Sequence, residues 1–561
     1  MRRRHTSVLW LSPLTLSLAL AHCGSSASGT KADGGGGEDS GTHGDSGKSG
    51  HDGGTSHDSG KSHDSGKEKD GNATEDGGGD AAHGDAGHDA GVDASACLPA
   101  PGDAGAPGTL DPTFTNGNGH VTTTASPGAI LTDSAGKIYV VGARTNCVGA
   151  SSGNDFAVTR YTAAGVLDGT FGTGGTACAD FASGDDLGGG AAIDGAGNIL
   201  VVGSSVQAAN TTVAITRLTP TGVVDTAFGS MGYVRLTPLA AAGTCSVTPC
   251  ALPEAQAAVA VVFDAAKTHF YVAGTTISYP SAGESYTAGW IAAFDANGSV
   301  NTNFNPSGAH PNAKFGTAGF IGDDSLIGQF DVVMDGSNIV VVGSDNGPKV
   351  DGGFSGSGRK FVTRRYTPAG ALDTTFNASG TVPGEVRTAL GTNDYAQGVR
   401  IDAITGSIVV GGTVSVGGAS LPYAGPFAAG VMGAVRYTST GELDTTFGSG
   451  TFVSAHLEGF PGYSHNILGM DCSGRVYLGG FTGAIAGCGN PGGCQNESLL
   501  RLTTAGVPDS TFGPGTVAAG IVALPVASTN VLVDGVTVTS SDHPVTVGGT
   551  ATGLILDELN Y

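Results

Sequence analysis

Residues 129–142 read AILTDSAGKIYVVG, and residues 156–172 read FAVTRYTAAGVLDGTFG. In the first stretch an apolar run ends at Asp133, a Ser-Ala-Gly turn follows, and a second apolar run closes on Gly142. An Asp carboxylate can accept a backbone N–H two residues on and so start a turn, which makes the two runs a β-hairpin. The second stretch adds a third strand, Phe156 to Tyr161, then a turn and a Leu-Asp-x-Thr-Phe-Gly signature, with a fourth strand beyond it.

Outward from here the same unit recurs. The strand ending in Gly appears as IYVVG at Gly142, ILVVG at Gly203, FYVAG at Gly274, IVVVG at Gly343, IVVGG at Gly412, VYLGG at Gly480 and VTVGG at Gly549, with a spacing that varies little from one copy to the next. Ahead of each copy an apolar run ends in Asp: Asp133, Asp194, Asp264, Asp335, Asp402, Asp471 and Asp534. So regular a period marks a repeat architecture. Four short antiparallel strands per copy, with no helical periodicity, predict an all-β chain: a seven-bladed β-propeller of four-stranded antiparallel blades over residues 109–561. The first signature, Leu110 to Phe114, has no third strand ahead of it, and Gly553 to Tyr561 is a third strand with no signature behind it. The two are expected to complete one blade and so remove exposed sheet edges.

The most regular charges follow the same period. Arg160, Arg217, Arg365, Arg436 and Arg501 each stand eight residues before Asp168, Asp225, Asp373, Asp444 and Asp509, whereas Ala293 and Asn301 take both places in the fourth signature. Partners that disappear together are expected to be structural ion pairs, because one left buried alone is strongly destabilising.

The Asp-turn hairpin, the Phe-Ala-Val-Thr-Arg-Tyr strand and the Leu-Asp-Thr-Thr-Phe-Gly signature together resemble the delta-60 repeat family of exported bacterial proteins. The Asp-x-x-Gly-x-Ile-x-Val segment is also similar to the NHL repeat. The resemblance spans residues 109–561 and implies a ring with a central channel, loops on two faces and no inherited catalytic residues.

Residues 1–22 read as a signal peptide: Arg2, Arg3 and Arg4 precede a largely apolar run from Val8 to Ala21, too short to span a bilayer. The run ends in Leu20-Ala21-His22-Cys23-Gly24, which resembles the lipobox of bacterial lipoproteins and implies lipidation at Cys23; His22 departs from the small residue usual there. Residues 23–108 carry Gly, Asp, Ser, His and Lys in near-repeats with no apolar periodicity, the composition of a disordered tether. Its six His (His43, His51, His57, His63, His83, His88) invite at most loose Zn²⁺ or Cu²⁺ binding. The chain carries 98 Gly, 24 Pro and a formal charge of −24, yet 39% of it is hydrophobic, so a core can form and nucleic acid is excluded as a partner. Beyond Cys23, eight Cys (Cys97, Cys147, Cys178, Cys245, Cys250, Cys472, Cys488, Cys494) are expected in four disulfides, with Cys147–Cys178, Cys245–Cys250, Cys488–Cys494 and Cys97–Cys472 suggested by proximity.

Chemistry is sparse. The seven repeat Asp could ring one mouth of the channel and attract Ca²⁺, though each is also explained by its own turn. His456, Glu458 and His465 match no metal motif; Asp185-Asp186 and Asp323-Asp324 read as solvent-facing turns; and Gly188-Gly189-Gly190 lacks the Lys and helix of a phosphate loop. No catalytic residues and no cofactor are expected. The stretches 240–254, 278–286, 347–358, 417–431 and 483–497 vary between copies, and Tyr279, Tyr286, Phe354, Tyr423 and Phe427 within them suit carbohydrate or protein contacts. The expected function is a binding module of the cell envelope, anchored through Cys23 to the outer membrane or cell surface. The alternatives are an exported hydrolase or lyase at the channel mouth, calcium-dependent if the repeat Asp converge, and an architectural envelope protein.

Overall fold

A computed structural model describes residues 106–560, apart from 117–119, 124–125, 150–152, 182–183, 208–209, 237–254, 282–283, 309–316, 324, 346, 348, 351–352, 355–357, 416–429, 460–466, 486–493, 514–517, 525–531 and 551–552. The leader, Cys23, the tether, Cys97, Cys245, Cys250 and Cys488 lie outside the described residues. What is described is β-sheet throughout, with only single 3₁₀ turns at Phe114–Asn116 and Gly448–Gly450.

The expectation of seven four-stranded blades is corrected: the described residues form five four-stranded antiparallel sheets and one eight-stranded sheet, besides a two-stranded hairpin at Lys349–Val350 and Gly353–Phe354. The first sheet runs Ser126–Thr132, Ile138–Thr145, Asn154–Tyr161, Thr176–Ala179, and the second Asp186–Ile193, Ile199–Gln207, Asn210–Leu218, Tyr233–Leu236. The third is Ala255–Phe263, His269–Ser281, Glu284–Asp295, Phe320–Asp323, and the fourth Leu326–Asp335, Asn338–Asp345, Phe361–Tyr366, Glu385–Thr388. The fifth joins the two ends of the propeller region: Leu532–Val538, Pro544–Thr550 and Gly553–Glu558, with His120–Thr123 on the outside.

The eight-stranded sheet holds the two remaining copies of the repeat, from Asn393–Ile401 to Ile521–Ala523, fused where Glu458 pairs with Phe481. A glycine explains the fusion. Gly203 and Gly412, inside the second strands Ile199–Gln207 and Ile408–Ser415, lie against a carbonyl of their own inner strand: a Cβ would stand 2.0 Å from Leu187 O at Gly203 and 1.9 Å from Tyr395 O at Gly412. At Gly480 the nearest atom is instead Glu458 O, from the outer strand Phe452–Gly459 of the preceding copy. The inner strand here is only Leu468–Met470, so Glu458 occupies the edge that a longer inner strand covers elsewhere.

Central strands read as unbroken apolar runs because both of their faces are covered by neighbouring sheets; Ile199, Leu200, Val201 and Val202 are all fully buried. The core is therefore a series of layers between sheets, one of which combines Leu131 and Val158 with Val201 and Ala214. Inner strands pack in succession, and Leu532–Val538 lies against Ser126–Thr132, so the succession closes on itself. Closure is held by a ladder from His120–Asp557 to Thr123–Leu554, by the Leu110–Leu559 bridge, and by Asn560, whose side chain donates to Thr109 Oγ1 at 2.7 Å. Cys147–Cys178 is a disulfide, and Cys472 is disulfide-bonded as well.

Candidate functional site

Strand direction sorts the connections into two ends. Turns between first and second strands, and between third and fourth, share one end, here the turn face. Links between second and third strands, and from each outer strand to the next inner one, share the opposite end, the loop face. Among the described residues, 347–358 leaves the second strand of the fourth sheet at the loop face and holds the two-stranded hairpin, whereas most of 278–286 continues the strands His269–Ser281 and Glu284–Asp295; 240–254, most of 417–431 and 486–493 lie outside the described residues.

On the turn face the repeated charges are held by the framework. Arg160 Nε lies 2.9 Å from Asp168 Oδ2, Arg365 Nε 2.8 Å from Asp373 and Arg436 Nε 2.8 Å from Asp444; Arg217 Nη2 lies 2.7 Å from Asp225 and Arg501 Nη2 2.9 Å from Asp509. Each guanidinium also covers the signature Phe, from 4.5 Å at Phe171 to 5.0 Å at Phe228, a favourable cation–π placement. Several reach into the next copy: Arg160 Nη1 donates to Pro220 O at 2.6 Å and Arg436 Nη1 to Thr504 O at 2.6 Å. The Asp closes the signature turn as well, since Asp168 Oδ1 accepts the Thr170 N–H at 3.1 Å and Asp444 Oδ1 the Thr446 N–H at 2.9 Å. The Thr170 and Thr446 hydroxyls hold these two carboxylates below the usual range, with the Arg charges adding.

The repeat Asp behave similarly. Asp133 accepts from Ala135 N and Lys137 N, Asp194 from Ala196 N and Asn198 N, Asp264 from Thr268 N and His269 N, Asp402 from Ile404 N, and Asp471 from Ser473 N and Arg475 N, all at 2.7–3.1 Å. Asp335 takes Arg365 Nη1 at 2.7 Å. Asp534 is different: it heads no turn but sits inside Leu532–Val538 at a bulge between Val533 and Gly535, and the turn of that copy begins at Thr539. Burial pushes Asp534 up to about 7, against a hydrogen bond from the Gly549 N–H. None of the seven belongs to a convergent group of metal-ligating atoms among the described residues.

The loop face carries one such group. Ligand atoms of Asp155, Asp180 and Asp186 lie within 4.8 Å of one another, at the start of the third strand of the first sheet, just past its outer strand, and at the start of the next inner strand. Asp155 Oδ2 accepts the Val148 N–H at 2.9 Å and Asp186 Oδ2 the Phe181 N–H at 2.6 Å, so two of these carboxylates anchor loop backbone. Burial pushes Asp186 up to about 6; hydrogen bonds from Ser205 and Phe181 oppose this, and the charges of Asp180 and Asp155 add to it. Three carboxylates this close present the oxygen chemistry of a hard cation.

Two sequence expectations are corrected here, those for the pairs Asp185-Asp186 and Asp323-Asp324. Asp186 and Asp323 are fully buried and not solvent-facing turn residues. Gly188, Gly189 and Gly190 form an inner strand against its neighbours; a Cβ on Gly189 would stand 2.5 Å from Ala258 O. Glu458 is buried in a sheet, His456 is exposed, and His465 lies outside the described residues. Sequence reading missed Asp155 and Asp180 because neither recurs with the repeat period.

No curated protein matches the chain in sequence. Among solved structures it is similar to Kuenenia stuttgartiensis hydrazine synthase (TM-score 0.32, 9% identity, covering 77% of this chain and 97% of that one). It is also similar to Sqt1 from Chaetomium thermophilum (0.34, 10%, 78% and 97%) and to the polysaccharide lyase Uly1 (0.34, 9%, 85% and 97%). Likeness this loose carries no functional argument. Two stretches, residues 136–171 and 197–228, match the family model described as "Domain of unknown function (DUF5122) beta-propeller", and with the sheet architecture this supports placing the chain in a β-propeller family.

Proposed function

We propose that this chain is an exported β-propeller binding module, held to a membrane through a lipid on Cys23 and set away from it by residues 23–108. The observation that supports the reading is a division of labour between the faces: the repeated ion pairs occupy the turn face, and the second-to-third-strand links, which differ most in sequence between copies, belong to the loop face. A rigid scaffold with variable loops at one end is the usual arrangement for recognition. Tyr279, Tyr286, Tyr423 and Phe427 stand in sequence stretches that vary between copies, and aromatic rings suit stacking on sugars.

The test uses the full chain on an array of immobilised polysaccharides. Binding that survives in the parent and falls at least tenfold when these four aromatics become Ala supports the reading; equal binding, or turnover of a bound polysaccharide, overturns it in favour of another face or of an enzyme. For the anchor, Cys23→Ala is expected to move the protein from the detergent phase to the aqueous phase in phase partitioning. Unchanged partitioning would remove the lipid from the proposal.

A further inference from the structure

Besides the copy in which Ala293 and Asn301 replace both partners, the turn face departs from its own rule where the chain ends meet. The Leu110–Leu559 bridge occupies the position of Tyr161–Leu167, Leu218–Val224, Tyr366–Leu372, Tyr437–Leu443 and Leu502–Pro508 in the other copies. This alignment puts Asp111 where Asp168 stands and Glu558 where Arg160 stands, and the Asp111 N–H donates to Glu558 O at 2.9 Å as the Asp168 N–H does to Arg160 O. Asp111 Oδ1 is used as in the other copies, accepting Thr113 N and Thr113 Oγ1 at 2.7 Å each. Its Oδ2, which meets a guanidinium elsewhere, here shares its surroundings with a second carboxylate.

The group that joins them is His543. It follows its turn as Lys137 follows Asp133, and Lys137 Nζ likewise reaches Asp168 Oδ2, at 3.2 Å. His543 Nδ1 lies 3.1 Å from Glu558 Oε1 and 3.4 Å from Asp111 Oδ2, and the three side chains are only 13%, 6% and 7% exposed. A single Nδ1–H can point squarely at one carboxylate, not at both. A metal ion would satisfy all three atoms, and bonds of about 2.0–2.1 Å in a tetrahedral shell set its ligands roughly 3.3 Å apart, close to the separations found here.

We propose that Asp111, His543 and Glu558 bind a divalent transition metal ion, Zn²⁺ or one of similar ligand preference, which links the two ends of the propeller region. One imidazole nitrogen with two carboxylate oxygens suits such an ion better than Ca²⁺, which takes six to eight oxygens. The ion takes over the role that Arg plays in the five copies with an ion pair: it neutralises the acids and ties the signature to the third strand.

The experiment strips the full chain with EDTA, reloads it with ZnCl₂, and measures bound zinc after desalting together with Tm. Any zinc taken up by the histidines at 43–88 is common to every variant, so the readout is a difference. The parent is expected to hold one zinc per chain more than His543→Gln and to gain Tm on reloading where His543→Gln does not. Glu558→Arg, which restores the Arg–Asp pattern, is expected to hold one zinc fewer than the parent and to have a Tm independent of zinc. Equal zinc content and equal Tm response in the parent and Glu558→Arg would overturn the proposal, and would do so even if His543→Gln failed to fold.

Discussion

Arg364→Met is expected to lower the unfolding free energy by about 3–5 kcal/mol, among the largest losses any single side chain here should give. Arg364 is buried between the third and fourth sheets, with Nη2 2.7 Å from Asp323 Oδ2 and Nε 2.6 Å from Glu385 Oε2. Burial alone would raise both carboxyls, but the Arg364 charge, with hydrogen bonds from Ser325 to Asp323 and from Arg387 to Glu385, holds them below their ordinary values. Their stabilisation is therefore present above the ordinary carboxylate range and is lost as pH falls through the depressed values. Met fills the volume but leaves two buried carboxylates without their main cation. Denaturant unfolding at pH 7 measures the loss; a change under about 1 kcal/mol would mean that Asp323 and Glu385 find other partners. Arg436→Met, at a more exposed pair, should cost only about 1 kcal/mol.

Glu497→Gln is expected to do the opposite, stabilising the chain above neutral pH. In the fifth sheet Asp557 stands where Arg364 stands in the fourth, as the Leu110–Leu559 and Tyr366–Leu372 bridges show. Facing it from the preceding copy is not a partner of opposite sign but Glu497, which is fully buried, with both carboxylate oxygens lacking a hydrogen-bond partner among the described residues. Burial, then the Asp557 charge, raises Glu497 well above its ordinary value, and burial pushes Asp557 up to about 7. Acids whose values rise on folding hold protons that the unfolded chain has released. Their contribution is fully present below about pH 4 and is lost as pH climbs through about 7. The parent should thus lose stability between roughly pH 4 and 7 from this pair. A Gln side chain in that place cannot ionise, so the slope should flatten and the variant should be more stable than the parent at pH 8. Melting curves of both proteins from pH 5 to 8.5 decide it: parallel slopes would mean that the pair is not coupled as the geometry implies.

What the sequence revealed and what it hid follow one rule. Features carried by the repeat were legible: the hairpin, the apolar run closing on Gly, the Arg and Asp at their fixed offset in five copies, and, because the two end fragments are complementary parts of that repeat, the pairing of the first strand with the last. Features made once were not. The fusion at Glu458 depends on an inner strand that is shorter than its counterparts. Asp534 looked like a turn residue because an apolar run ends there, yet the stretch from Asp534 to Gly549 is much longer than the one from Asp133 to Gly142. That discrepancy was the available signal. Glu497 and Asp557 belong to different copies, and Asp111 and His543 to opposite ends of the propeller region, so only the closed arrangement brings them together. Glu558 could have been noticed, since laying the last third strand over the others puts an acid in the column of arginines.

The mixed composition of the fifth sheet also governs the order of events when the chain is made. His120–Thr123 leaves the ribosome early but has no partner until Gly553–Glu558 follows roughly 430 residues later, on the order of 20–90 s at about 5–20 residues per second. Throughout that interval His120–Thr123 has no strand to pair with and is a template for pairing with another chain, and the face of the first sheet that Leu532–Val538 later covers stays open. Translation rate and chaperone occupancy therefore act on an unclosed chain, and a product truncated before Gly553 lacks the strand that joins its two ends.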